Sequence, residues 1–225
     1  MKTWVRTSLL AALAAGMVLP SAAIAGGNPD AMLALHVTPR VTKAVCATTL
    51  PAEGCNGFAT ETSSPGFFSI FLCAAGIDSL GIAGAQFGVD YADAQSVGCD
   101  ISAWYPCTDL QFEENNWPQA GTGNLVTWEP SLNCQNPADL GQAVLIGVFD
   151  VTAYSGDVFT LTPRPVDGKA KVADCLAAEN DITDGDPSRL GVVTFGVGGG
   201  YNPCLSATVP VRPTTWGHVK QMFEN

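Results

Sequence analysis

The sequence predicts an antiparallel β-sandwich of the jelly-roll type, stapled by disulfide bonds. Short apolar runs recur along the chain, and the turns between them are rich in Gly, Pro, Asn and Asp. The runs do not alternate with long helical segments, which argues against a parallel α/β sheet. Eight cysteines follow an apparent export signal, so we expect them in a compartment where thiols pair.

Residues 1–25 have the organisation of a secretory signal peptide. A basic start (Lys2, Arg6) precedes an Ala/Leu-rich run, and Ala23-Ile24-Ala25 gives a small-x-small cleavage pattern. The run is too short for a transmembrane helix. We therefore expect a secreted bacterial protein, extracellular or periplasmic, with no integral membrane segment after cleavage.

The mature chain is acidic and rich in apolar residues. Residues 26–225 carry 21 acidic and 8 basic side chains, a net charge of −13. Such a charge repels nucleic acid and anionic lipid, so neither is expected as a partner. The whole sequence is 47% hydrophobic and 14% charged, which indicates a folded core. Since no linker divides it, we expect one β-sandwich domain over 26–209 and a tail over 210–225.

Eight segments have the length and composition of strands. Phe67–Leu72 is apolar throughout, as in a strand buried on both faces. Ile82–Tyr91 alternates, so that Phe87, Val89 and Tyr91 share a face. The other predicted strands lie at 32–37, 110–112, 124–128, 143–154, 158–162 and 191–197.

The tail contains a short amphipathic helix by its spacing. Thr214 or Thr215 serves as its N-cap, and Trp216, Val219 and Phe223 form one apolar stripe. Two interpretations remain open: a terminal helix docked on the domain, or a recognition tail for sorting or for a partner protein.

The eight cysteines fit a nearest-neighbour scheme, although sequence alone permits about 105 pairings. The scheme pairs Cys46 with Cys55, Cys107 with Cys134, Cys175 with Cys204, and Cys73 with Cys99. A zinc site is disfavoured, because there is no Cys-x-x-Cys and the two histidines of the mature chain lie far from the cysteines.

An acidic loop suggests calcium. Asp181, Asp184 and Asp186 could ligate the ion in an irregular loop, although Ile182 breaks the EF-hand pattern. The alternative is a solvated turn between strands. Apart from this calcium hypothesis the sequence predicts no cofactor.

Catalytic patterns are weak. No Gly-x-Ser-x-Gly elbow occurs, and a serine hydrolase would need a well-placed histidine. Glu113 and Glu114 are adjacent, and adjacent residues of a strand face opposite ways. Glu129 and Asp150 could converge as the acid pair of a glycoside hydrolase.

Four aromatic residues form a candidate sugar-binding set. Trp104, Tyr105, Trp117 and Trp128 fall close together in sequence, and planar aromatic rings on a sheet can stack sugars. Trp117, beside Pro118, is the one we most expect to be exposed. The alternative is that these residues pack the core.

Two segments carry a resemblance to a known family. Ile82–Tyr91 (IAGAQFGVDY) and Gly147–Ala153 (GVFDVTA), followed by Phe159–Thr162 (FTLT), resemble strands of cohesin-like and carbohydrate-binding-module-like sandwiches of secreted bacterial proteins. The resemblance implies a jelly roll that binds rather than catalyses. The chain is also similar to cysteine-bearing secreted bacterial proteins of unknown function that end in a Thr-Thr-Trp-Gly tail.

The sequence thus favours a secreted, non-catalytic binding or structural module at the cell surface or in an extracellular assembly. Its partner would be a protein or a glycan. A carbohydrate-binding domain that uses exposed tryptophans is the alternative, and a secreted glycoside hydrolase ranks third. Exposure of the tryptophans distinguishes the first two.

Overall fold

A computed structural model describes residues 26–92, 94–136, 143–186 and 188–206. The predicted signal peptide and the tail with Trp216, Val219 and Phe223 lie outside these residues. In the part described, no helix is both long and apolar enough to cross a membrane.

The described residues contain twelve strands, two 3-10 helices and one short α-helix. The strands are β1 Met32–Pro39, β2 Glu61–Thr62, β3 Gly66–Ala75, β4 Gly84–Asp90, β5 Cys99–Pro106, β6 Leu110–Glu113, β7 Thr122–Thr127, β8 Val144–Ala153, β9 Asp157–Thr162, β10 Lys171–Ala173, β11 Glu179–Asp181 and β12 Val192–Phe195. The 3-10 helices are Val45–Ala47 and Gly54–Gly57, and α1 is Pro203–Ser206.

The strands form two sheets, which confirms the predicted antiparallel β-sandwich. Sheet A has the order β1-β3-β8-β5. In sheet B, β4 pairs with β7 along one edge, and with β10 and β9 along the other; β6 extends the sheet beyond β7. Both sheets are antiparallel except where β12 pairs with β2.

One apolar core lies between the sheets. Sheet A contributes Leu35, Ile70 and Phe149, and sheet B contributes Phe87 and Phe159, all with 0% exposure. As the period-two pattern predicted, Phe87 and Val89 face this core, and Tyr91 packs against it. Complete burial of each such side chain stabilises the fold by about 1.5–3 kcal/mol relative to exposure.

A second apolar cluster covers the other face of sheet A. Residues 41–58, which we term the covering segment, pack over that face together with α1. Phe58 packs there with Phe71 and Val148, whose strands also line the main core. This second layer explains why β3 is apolar on both faces, as the sequence predicted. The His36 ring also packs against this layer, stacked on Phe58 with ring centroids 5.1 Å apart. Burial lowers the pKa of His36.

The disulfides differ from the nearest-neighbour scheme, which is therefore wrong in every pair. They join Cys46 to Cys107, Cys55 to Cys204 and Cys134 to Cys175, while Cys73 and Cys99 are unpaired and buried. The scheme assumed that cysteines close local loops. Two of the three bridges instead tie the covering segment to distant parts of the chain.

Cys73 and Cys99 are too far apart to be joined in this fold. They lie on β3 and β5, which flank β8, and they align with Leu145 and Ala153 of β8. Eight residues of strand separate those positions, about 26 Å along the sheet. A disulfide requires Cα atoms within about 7 Å.

All eight predicted strand segments contain observed strands, and four observed strands were missed. Three of these, β2, β10 and β11, have two or three residues. The fourth, β5, has eight residues, but its register shifts between Ile101 and Ala103. A bulge of this kind changes which residues face the core, so the sequence shows no continuous alternation.

Candidate interaction surface

The outer face of sheet B exposes apolar side chains at its β6 edge. Gln111 points inward, where its Oε1 accepts hydrogen bonds from Trp104 Nε1 (3.0 Å) and Asn124 Nδ2 (3.1 Å). Because side chains alternate along a strand, Leu110 and Phe112 point outward. They are 62% and 53% exposed.

The next strand extends this apolar surface. Leu125 on β7 lies opposite Phe112 and is half-buried, and Gln86 of β4 follows Leu125 in the same row. Aligned residues on antiparallel strands have Cβ atoms about 5 Å apart. Phe112 and Leu125 therefore form a continuous patch across two strands.

A hairpin folded over the sheet borders the patch. Arg164 and Lys169 close this hairpin through a backbone bridge. Beneath it lie Gly88 and Gly123, where an added Cβ would meet Pro163 O at 2.7 Å and Arg164 Cγ at 2.6 Å. These two positions need glycine because the hairpin approaches the sheet so closely.

The hairpin is fixed to β6 by polar contacts. Arg164 Nη2 donates to Phe112 O (3.1 Å), and its Nε lies 3.3 Å from Glu114 Oε1. The same carboxylate oxygen accepts a hydrogen bond from Val166 N (3.1 Å). Val166 stands at the hairpin tip with 69% exposure. We call Leu110, Phe112, Leu125 and Val166 the apolar ledge.

Charged side chains surround the hairpin on its other side. The Lys169 ammonium lies 2.7 Å from Asp181, and the Lys171 ammonium lies 2.8 Å from Glu179. Asp167 accepts hydrogen bonds from Gln86 Nε2, which lower the pKa of its carboxyl group. The ledge is therefore an apolar area beside a belt of paired charges, the composition typical of a protein interface with a polar rim.

The acidic loop has no metal-binding arrangement in the described residues. The hydrogen bond from Lys169, followed by that from Thr183, lowers the pKa of Asp181 to about 2. Asp184 and Asp186 are exposed. Within the described ranges, no group of three or more His, Cys, Asp or Glu side chains is placed to hold a metal ion. Calcium binding by Asp181, Asp184 and Asp186 thus stays a prediction from sequence.

The tryptophans of the sugar-binding hypothesis pack against the core. Trp128 is 3% exposed, and its Nε1 donates to Cys107 O (3.1 Å). Trp104 and Trp117 are partly buried, with ring centroids 5.7 Å apart, and both contact Phe149. Tyr105 is 42% exposed. The expectation that Trp117 stands out in solvent is therefore wrong, because its ring fills the space between the sheets.

The carboxylates considered for glycoside hydrolysis have structural partners. Asp150, on the covered side of sheet A, is nearly buried and forms an ion pair with Arg40. Glu129 accepts hydrogen bonds from Ser131 Oγ and Leu132 N in an exposed turn. Glu114 binds the hairpin, as described above. Asp150 and Glu114 thus hold distant parts of the chain together, whereas Glu129 fixes a local turn. The glycoside-hydrolase alternative stays a prediction from sequence.

The sequence did not predict the apolar ledge, although one of its strands shows a recognisable pattern. Leu110-Gln111-Phe112-Glu113 alternates apolar and polar residues, which predicted the strand but not which face is exposed. The inward direction of Gln111 depends on Trp104 and Asn124, which come from two other strands. Only the assembled sheets reveal it.

Comparison with known proteins finds cohesin modules among solved structures. A cohesin module from a Clostridium perfringens family 33 glycoside hydrolase is 12% identical with a TM-score of 0.43, over 73% of this chain and 95% of the module. A type II cohesin domain from the Acetivibrio cellulolyticus cellulosome is 10% identical with a TM-score of 0.43, over 75% and 96%. A chain of a Clostridium thermocellum type I cohesin–dockerin complex is 10% identical with a TM-score of 0.42, over 73% and 93%.

No protein-family model matches the sequence, and no curated protein matches it. Similarity to cohesin modules at this level does not assign a partner to the chain.

Proposed function

We propose that this chain is a secreted, non-catalytic module that binds another protein through the apolar ledge. The observation that carries the proposal is the pair Leu110 and Phe112, which project from one face of β6 with more than half of each side chain exposed. Val166 faces solvent beside them on a hairpin held by Arg164 and Glu114. Exposed apolar patches bordered by polar residues are typical of protein interaction sites.

The partner we propose is a folded protein with an apolar docking surface and a net positive charge. The mature chain has a net charge of −13, so a basic partner is attracted at long range and an acidic one is repelled. The ledge is an open sheet face, which suits another surface better than a small molecule that needs enclosure. Association should therefore slow as salt is raised.

The test compares two variants whose substituted side chains are exposed to a similar extent. Leu110→Ser/Phe112→Ser removes the ledge, and Phe67→Ser removes a 60% exposed phenylalanine from sheet A. Each variant and the wild-type mature protein are used to capture partners from culture medium of the producing bacterium, and the captured protein is purified and titrated. We expect the ledge variant to bind about 30-fold more weakly or worse, as for loss of a hot spot of about 2 kcal/mol. The Phe67 variant should bind as the wild type does.

Two results would contradict the proposal. One is equal affinity of the ledge variant and the wild type for the purified partner. The other is wild-type binding on a glycan array that is lost in Tyr105→Ala and kept in the ledge variant, because this result favours the carbohydrate-binding alternative. Both ledge positions are exposed, so melting temperatures should change little and should not confuse the comparison.

A further inference from the structure

The first described residue, Gly26, is buried at the edge of sheet B. Its nitrogen donates to Glu179 O of β11 (3.2 Å). Gly27 N donates to Asp174 Oδ2 (2.9 Å), and Asn28 N donates to Asn180 Oδ1 (2.8 Å). The backbone nitrogens of residues 26–28, the predicted start of the mature chain, thus all have partners around β11. Asn28 has 0% exposure.

Position 26 requires glycine. A Cβ there would meet Asn180 Oδ1 at 2.4 Å and Ala178 O at 2.7 Å. With Glu179 O, these atoms make the surroundings of Gly26 rich in oxygen acceptors. An amide nitrogen has only one hydrogen to donate, whereas an α-ammonium group has three.

Asp174 is a buried carboxylate close to this segment. It is 1% exposed, and within the described residues no Lys or Arg forms an ion pair with it. Burial, the largest single influence, raises the pKa of Asp174, but hydrogen bonds from the N–H groups of Gly27, Ala178 and Leu176 together bring it below its ordinary value. These hydrogen bonds stabilise the buried carboxylate in its charged form, and a positive charge nearby would stabilise it further.

We propose that signal cleavage places a cation near Asp174, the α-ammonium group of Gly26. Hydrolysis of the Ala25–Gly26 peptide bond by a signal peptidase adds the hydroxyl of water to the Ala25 carbonyl carbon and a proton to the Gly26 nitrogen. The resulting amine takes a further proton near neutral pH, since its ordinary pKa is about 8. Covalent geometry keeps the Gly26 nitrogen within about 7 Å of Asp174 Oδ2. Processing at this bond therefore completes an electrostatic site of the folded protein.

The experiment uses the full chain exported with its own signal. Intact mass and N-terminal sequencing identify the first residue, for which Gly26 is expected. Reductive methylation of the folded and of the denatured protein then measures the accessibility of the α-amine. We expect at least about tenfold slower labelling in the folded protein, because the amine reacts only when the chain start opens. A different first residue, or equal labelling rates in the two states, would overturn the proposal.

Asp174→Asn provides the specific variant, and Asp186→Asn is the control because Asp186 is exposed in the same acidic region. Loss of the Asp174 charge should speed labelling of the folded chain start, whereas the control should label as the wild type does. An Asp174→Asn protein that labels at the wild-type rate would show that the carboxylate does not hold the amine. If this variant fails to fold, equal labelling rates of the folded and the denatured wild type still overturn the proposal. None of these outcomes depends on the ledge.

Discussion

At the scale of single residues, Trp104 shows how packing changes the role of a residue type. Its ring lies 4.4 Å from that of Phe149, centroid to centroid, and its Nε1 donates to Gln111. Gly147 makes room for the ring, because a Cβ there would meet Trp104 Cη2 at 2.2 Å. The sequence suggested Trp104 as a sugar-stacking residue. Gly147, 43 positions away in sequence, instead allows the ring to pack against the core between the sheets.

Gly147→Ala should therefore destabilise the protein by about 1–3 kcal/mol, as expected for overpacking of a core. Tryptophan fluorescence should also shift as the Trp104 ring moves. Gly84→Ala is the control, because Gly84 lies in a strand too but its nearest atom, Val126 O, is 3.3 Å from the added Cβ. Denaturant unfolding of both variants measures the difference. Equal midpoints for the two variants would show that Trp104 does not depend on Gly147.

At the scale of elements, the covering segment is held by covalent bonds rather than by regular structure. It contains only two short 3-10 helices, of three and four residues. Cys46 joins it to Cys107 just beyond β5, and Cys55 joins it to Cys204 in α1. These bonds keep an irregular segment over the apolar face that Phe71 and Val148 present.

Loss of the two bridges should have unequal effects. Each double alanine variant should lose about 2–5 kcal/mol through the greater freedom of the unfolded chain. Cys55 and Cys204 are 4% and 7% exposed, whereas Cys46 is exposed, so Cys55→Ala/Cys204→Ala also leaves a cavity. We expect it to be less stable than Cys46→Ala/Cys107→Ala by roughly 1–2 kcal/mol. The reverse order in guanidinium unfolding would contradict this picture of the covering segment.

At the scale of the whole molecule, the disulfides join segments that are far apart in sequence instead of closing neighbouring loops. The Cys55–Cys204 bridge spans 149 positions, and the Cys134–Cys175 bridge spans 41. Cys73 and Cys99 remain as thiols on opposite sides of sheet A, one in each apolar cluster. Burial raises the pKa of both thiols, so they are protonated and unreactive at neutral pH.

The oxidised protein should therefore contain two thiols that react only after unfolding. Titration with a thiol reagent should give no reaction in native buffer and two equivalents in denaturant. Peptide mapping without reduction should recover the three bridges described here. A fully oxidised chain, or rapid reaction of a thiol in the native state, would contradict the pairing.

The sequence by itself determined the fold class, because strand length, alternation and turn residues are local properties of the chain. Phe87 and Val89 illustrate this, since their spacing alone placed them in the core. The tertiary structure decided the cysteine partners, the packing of Trp104 and Trp117, and the exposed ledge at Leu110 and Phe112. Each of these depends on contacts between strands far apart in sequence. In β5, the bulge also interrupts the alternation of side chains, so the sequence does not show which residues face the core. A local pattern can specify a strand, but only the assembled sheets determine what each face meets.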